Sequence, residues 1–145
     1  RVGDADSRRM DPGCGELSRA EPTGTGDTGH VHRLLDGLDA RGIGVDRIGV
    51  DFHDTYGQAL ANTLAALAHG VTVVDASTGG LGGCPYAKSA TGNLATEDLV
   101  WALDGLGIQT GVDLDALVQT SLWMAGQLGR PSSSRVVKEL AGSDA

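Results

Sequence analysis

Asp51 and His53 stand two residues apart in the stretch VDFHD. Successive side chains of an extended strand alternate between faces, so this carboxyl and this imidazole point one way while Phe52 points into the other layer. Two such groups could share one metal ion. The other reading of His53 is a hydrogen-bonded histidine near a strand end. Further along, GGLGGCPYAKSATGN (Gly79 to Asn93) places a single thiol, Cys84, after Gly82 and Gly83 and before Pro85. So few side chains bury little apolar surface, and the glycines suit close backbone approach to a ligand or a positive φ. A cysteine there has free backbone N–H groups near it, which favours reactivity; a small buried hydrophobe is the alternative. Asn93 reads as a site residue or as a turn residue after Gly92. Glu97, followed by Asp98, reads as a site residue or as a favourable acid in the first turn of a helix. In DTYGQ, Asp54 or Thr55 can also cap the helix that starts near Gly57.

The elements that must position these groups follow from periodicity. GELS (Gly15 to Ser18) reads as a short strand. From Gly29, Val31, Leu34, Leu35 and Leu38 fall at helical spacing, which predicts a helix over 29–41 ended by Gly42. Asp46 to His53 reads as a buried strand. GQALANTLAALAHG repeats Leu and Ala at i, i+3 and i+4, giving a helix closed by Gly70. Val71 to Ser77 is rich in β-branched residues and predicts a second buried strand. Beyond the glycine loop, ATEDLVWALDGLG and DLDALVQTSLWMAGQLG read as helices, with a Ser-rich tail past Pro131. Strands alternating with helices mark parallel βα units. In such folds ligands meet the carboxyl ends of the strands, where Asp51, His53 and the Ser77 to Asn93 connection all lie.

Composition narrows the function further. The 145 residues contain 40% hydrophobic and 3% aromatic residues, so the core must be built from Leu, Val, Ala and Ile. A net charge of -8 argues against nucleic acid as a partner, because phosphate-backbone binders carry basic patches. No apolar run approaches the roughly 20 residues that span a bilayer, so no membrane partner is expected. Only two cysteines are present, Cys14 and Cys84, far apart in sequence; they read as separate thiols. The expected location is cytoplasmic, or the mitochondrial matrix in a eukaryotic host.

The motifs HDTYGQALANTLAAL, GGLGGCPYAKSATGNLATEDLV and LDGLGIQTGVDLDAL resemble the 3-hydroxy-3-methylglutaryl-CoA lyase family, a branch of the metal-dependent lyase and synthase barrels. The resemblance extends from about Gly15 to the C-terminal region. Related Claisen synthases show G-E-R-A-G-N where this chain has GGCPYA, so Cys84 favours the lyase. The resemblance implies an α/β fold, the C-terminal portion of a (β/α)8 TIM barrel. Segment 1–13, which mixes charges and glycine without an apolar period, reads as disordered or outside the family; the resemblance implies a partial barrel over 14–130 and a C-terminal tail over 131–145. It implies retro-Claisen cleavage of an acyl-CoA substrate to acetyl-CoA and acetoacetate, assisted by Mg²⁺ or Mn²⁺. His53 and Asn93 would be metal ligands, Cys84 the acid that protonates the product, and Glu97 a residue that orders the loop. Gly82 and Gly83 belong to a lid able to close over substrate. Where the family carries His-x-His, this chain has Asp51-Phe52-His53. A carboxylate still suits a hard ion, while its charge lowers that ion's Lewis acidity.

A whole barrel has eight βα units and commonly about 250 residues. This chain matches only the last three or so. Two readings of different class therefore stand: part of an active lyase, or a non-catalytic barrel remnant or interaction module. A related acyl-CoA synthase is a further alternative, and self-association into a homo-oligomer stays open.

Overall fold

The computed structural model describes residues 17–21, 24–83 and 92–142, with 17–21 described in their backbone alone. Segment 1–13, Cys14 and Cys84 lie outside the described residues. Three parallel strands form one sheet in the order β1 (Leu17–Glu21), β2 (Ile48–Phe52) and β3 (Val73–Asp75). Between them run α1 (Thr28–Asp39) and α2 (Ala59–Ala68). After β3 come α3 (Thr96–Gly105), α4 (Leu114–Leu128) and α5 (Arg135–Gly142). The βα reading of the sequence holds.

Alternation in β2 divides the sheet into two faces. Ile48, Val50 and Phe52 join Val31, Leu35 and Leu38 of α1, Ala59 and Ala66 of α2, and Leu99 and Leu103 of α3 in one buried core. Aliphatic burial of this kind stabilises by about 1.5–3 kcal/mol for each large side chain. The opposite face is polar at its carboxyl end. Strand register sets Gly49 beside Val73 and Asp51 beside Asp75, so Asp51 and Asp75 share that face. Small residues on α2 let it lie close: Thr63 is wholly buried and donates to the Ala59 carbonyl, and Asn62 Nδ2 donates to the Gly26 carbonyl.

The boundaries differ from the periodicity reading where pairing, not propensity, decides. Ladder pairing with β1 begins at Ile48, and Val45–Arg47 form a single 3₁₀ turn instead of strand. Val71 is buried and β-branched, yet its N–H donates to the Ala66 carbonyl and closes α2. β3 is therefore three residues long. Past Pro131, the stretch read as a tail carries α5. Two of its three serines are not solvated: Ser132 and Ser134 are buried, and Asp98 of α3 accepts from the Ser134 hydroxyl and from the Arg135 and Val136 N–H groups.

α1 begins with a reciprocal cap. Asp27 Oδ1 accepts from the His30 N–H at 2.9 Å while His30 Nδ1 accepts from the Asp27 N–H at 3.3 Å. The His30 backbone bond, and then the His30 side chain, hold the Asp27 carboxyl below its ordinary value of 3.8. A depressed folded pKa means that the cap's contribution is present above pH 3.8 and is lost as pH falls through the lower folded value. Asp27→Ala should therefore lower the thermal midpoint at neutral pH, and the gap from the parent chain should close in acid. Melts followed by circular dichroism across pH 2 to 7 check this; a gap independent of pH would remove the ionised cap.

Candidate active site

The strand end and the return of the glycine connection are stitched together by backbone bonds. Leu94 N–H donates to the Phe52 carbonyl at 3.0 Å and Asp54 N–H to the Gly92 carbonyl at 3.1 Å, making His53 and Asn93 an antiparallel bridge. Ser77 N–H donates to the Leu94 carbonyl and Thr96 N–H to the Ser77 carbonyl. Residues 92–95 thus lie between the ends of β2 and β3. The N-cap of α2 is Gln58, which makes no side-chain cap bond; Asp54, four residues before it, instead satisfies the first helical N–H, its Oδ1 accepting from Ala59 at 2.9 Å.

Within this arrangement two polar atoms have no partner. His53 Nδ1 and Asn93 Oδ1 are both buried and both without a hydrogen bond. Leaving such groups unsatisfied costs about 1–3 kcal/mol each, and Thr55 Oγ1 and Asn62 Oδ1 are buried without a partner as well. An imidazole nitrogen and an amide oxygen are neutral donors that fit a hard or borderline divalent ion. Asp51 is partly buried on the same face. Among the described residues no group of three or more His, Cys, Asp or Glu is gathered to hold an ion.

Burial pushes the Asp51 carboxyl above 3.8; His53 pulls it down and Asp75 adds a further upward push. The in-register Asp75 is thus a like charge working against Asp51.

The root of the loop is built tightly. Asn93 Nδ2 reaches the Leu81 carbonyl at 3.5 Å. A Cβ on Gly92 would fall on the Gly80 carbonyl oxygen, so only glycine fits that crossing. Gly82 has φ +126, and a Cβ there would meet Asn93 Nδ2 at 3.0 Å. Gly83 faces open space and meets no such limit. Glu97 is completely buried, and its two oxygens accept from the Gly79 N–H at 2.9 and 3.0 Å. The Ser121 hydroxyl donates to Glu97 Oε1.

A family description named HMGL-like matches residues 5–123. The chain belongs to the HMGL-like family. Among its relatives, the mitochondrial hydroxymethylglutaryl-CoA lyase of Gallus gallus is 47% identical over 136 residues, covering 94% of this chain and 45% of that protein. A 3-hydroxy-3-isohexenylglutaryl-CoA/hydroxy-methylglutaryl-CoA lyase of Pseudomonas aeruginosa is 48% identical over 128 residues, covering 88% of this chain and 42% of that protein. A solved HMG-CoA lyase of Acinetobacter baumannii, in complex with coenzyme A and 3-methylmalate, superposes with a TM-score of 0.86 at 36% identity. It covers 94% of this chain and 45% of that one. The chain spans less than half the length of these relatives, and its three parallel strands are part of an HMGL-like TIM barrel. None of its described helices is long and apolar enough to cross a membrane.

Sequence reasoning about this HMGL-like chain missed the far side of the Gly79 peptide. Ser132 and Ser133 hydroxyls donate to the Gly79 carbonyl at 3.1 and 3.0 Å, and the Ser133 N–H does so at 3.1 Å. The run SSS following RP was the visible signal, and it read as polar tail.

The Asp51 environment gives a pH test. Its raised folded pKa means that the unfolded chain ionises first as pH rises. Stability from the protonated carboxyl is complete below 3.8 and falls as pH rises through the folded value. Asp51→Asn should abolish this decline, so the variant's advantage over the parent, in metal-free buffer, should appear above pH 3.8 and then level off. Urea midpoints across pH 3 to 7 check this, and equal pH curves for the two chains would contradict it.

Proposed function

We infer that this chain carries one half of the active site of a carbon–carbon lyase that cleaves 3-hydroxy-3-methylglutaryl-CoA to acetyl-CoA and acetoacetate. The observation that carries the reading is the His53–Asn93 bridge, with two unpartnered buried donors at the mouth of the Cys84 loop. Relatives named as lyases of this substrate support it, as does a related structure holding coenzyme A.

His53 Nδ1 and Asn93 Oδ1 would hold a divalent ion, Mg²⁺ or Mn²⁺, with Asp51 on the same face as a further oxygen donor. When bound, that ion would polarise the substrate's tertiary hydroxyl and carboxylate and fix their orientation. Cys84 supplies a proton to the carbon of acetyl-CoA released when the C–C bond breaks. Gly82 and Gly83 let the backbone on the amino side of Cys84 turn toward the substrate. Glu97 orders this lid at its base, because the Gly79 N–H it accepts lies five residues before the thiol. Asp51, in place of a neutral imidazole, keeps a donor for a hard ion and adds negative charge that moderates its electrophilicity.

A graft tests this reading. Residues 17–142, placed in the corresponding part of the Pseudomonas aeruginosa lyase, should release acetoacetate from the methylglutaryl thioester with Mg²⁺, whereas the 145-residue chain alone should release none above background. In the graft, Cys84→Ser should lower kcat by about 10²- to 10⁴-fold with little change in KM. Asp51→His should raise kcat. A Cys84→Ser graft with nearly full kcat would leave the thiol no acid role.

A further inference from the structure

On the helical side of the sheet, away from His53 and Asn93, two imidazoles meet. His32 of α1 and His69 at the end of α2 bring Nδ1 and Nε2 to 2.6 Å, with ring centroids 4.9 Å apart and planes tilted by 47°. One of those nitrogens must carry the shared proton and the other a lone pair. Remove that proton, and two lone pairs aim at one point. Behind His69, Asp36 places Oδ1 4.0 Å from Nδ1. Asp36 lies one helical turn after His32, so both project from the same face of α1. At that distance Asp36 makes no hydrogen bond to the ring, but its negative charge favours the tautomer with Nδ1–H toward the acid, which leaves Nε2 with the lone pair.

The geometry points to a surface site in which His32 Nδ1 and His69 Nε2 chelate a borderline transition ion, Zn²⁺ being the probe, and clip α1 to α2. Tetrahedral ligation at about 2.0–2.1 Å separates two nitrogens by about 3.3 Å. The rings must part by roughly 0.7 Å relative to the observed contact, which rotation of the exposed His32 side chain supplies. Water completes the coordination, so the site is a two-imidazole chelate and not a closed cage of three acids or histidines. Imidazole pairs select Zn²⁺, Cu²⁺ or Ni²⁺ over Mg²⁺ and Mn²⁺. An ion that binds only when both helices are docked stabilises the fold by mass action.

The experiment titrates Zn²⁺ against a chromophoric chelator into the 145-residue chain with both cysteines alkylated, and follows thermal melting with and without Zn²⁺. One equivalent should bind and raise the melting midpoint. His32→Asn and His69→Gln should each weaken binding more than tenfold and abolish the shift, Asp36→Asn should weaken binding about tenfold, and His53→Gln should keep both. Circular dichroism of each variant confirms that it is folded. Should a folded His32→Asn or His69→Gln chain bind Zn²⁺ as the parent does, or should His53→Gln lose the equivalent, the site is not at α1 and α2.

Discussion

The buried carboxyl of Glu97 is the constraint on which the rest of the site depends. Removing such a group from water costs several kcal/mol unless its oxygens find donors, and here they find the Gly79 N–H and the Ser121 hydroxyl. That bond fixes the turn Thr78–Gly80 at the base of the glycine loop. With Gly79 fixed, the Gly80 carbonyl takes the position that forces glycine at 92. Asn93 then follows directly into its bridge with His53. A single acid in the first turn of α3 thereby sets, through two glycines, where the His53–Asn93 bridge beyond the end of β2 stands.

The same peptide is held on its other side by the connection between α4 and α5, through the hydroxyls of Ser132 and Ser133. Asp98, next to Glu97, holds the first turn of α5. Adjacent acids of one helix turn therefore work in opposite directions, one inward on the loop and one outward on the last helix. Gly79 is thus held at both its N–H and its carbonyl, which pins the root of the glycine connection.

How much of this was legible in the sequence depends on whether the determining contact is local. Helices α1 to α4 lie within two residues of their expected bounds, since apolar period and glycine stops act within one turn. Strand limits are set by pairing partners, which is why Val71 and Asp46 read as strand and are not. The roles of Ser121, Ser132 and Asp98 rest on contacts 24 to 53 residues away in sequence, so no local pattern could announce them. His53 and Asn93 were named through the family motifs, whose match to the HMGL-like family now stands on identity and superposition. Strand alternation alone offered Asp51 and His53 as a pair. In the structure the partner drawn to His53 is Asn93, forty residues on, while Asp51 is matched with Asp75.

That last pairing carries the argument on charge. Two carboxyls in register on neighbouring parallel strands repel, and burial raises the pKa of Asp51 in the same direction. Nearby His53 offsets part of this. A divalent ion at His53 and Asn93 would place positive charge where the carboxyl of Asp51 is least comfortable, favour its ionised form and release a proton on binding. Metal affinity and fold stability are then coupled through one residue. With Asp51 set beside Asp75, this face carries a charge penalty near neutral pH that a neutral side chain at position 51 would not.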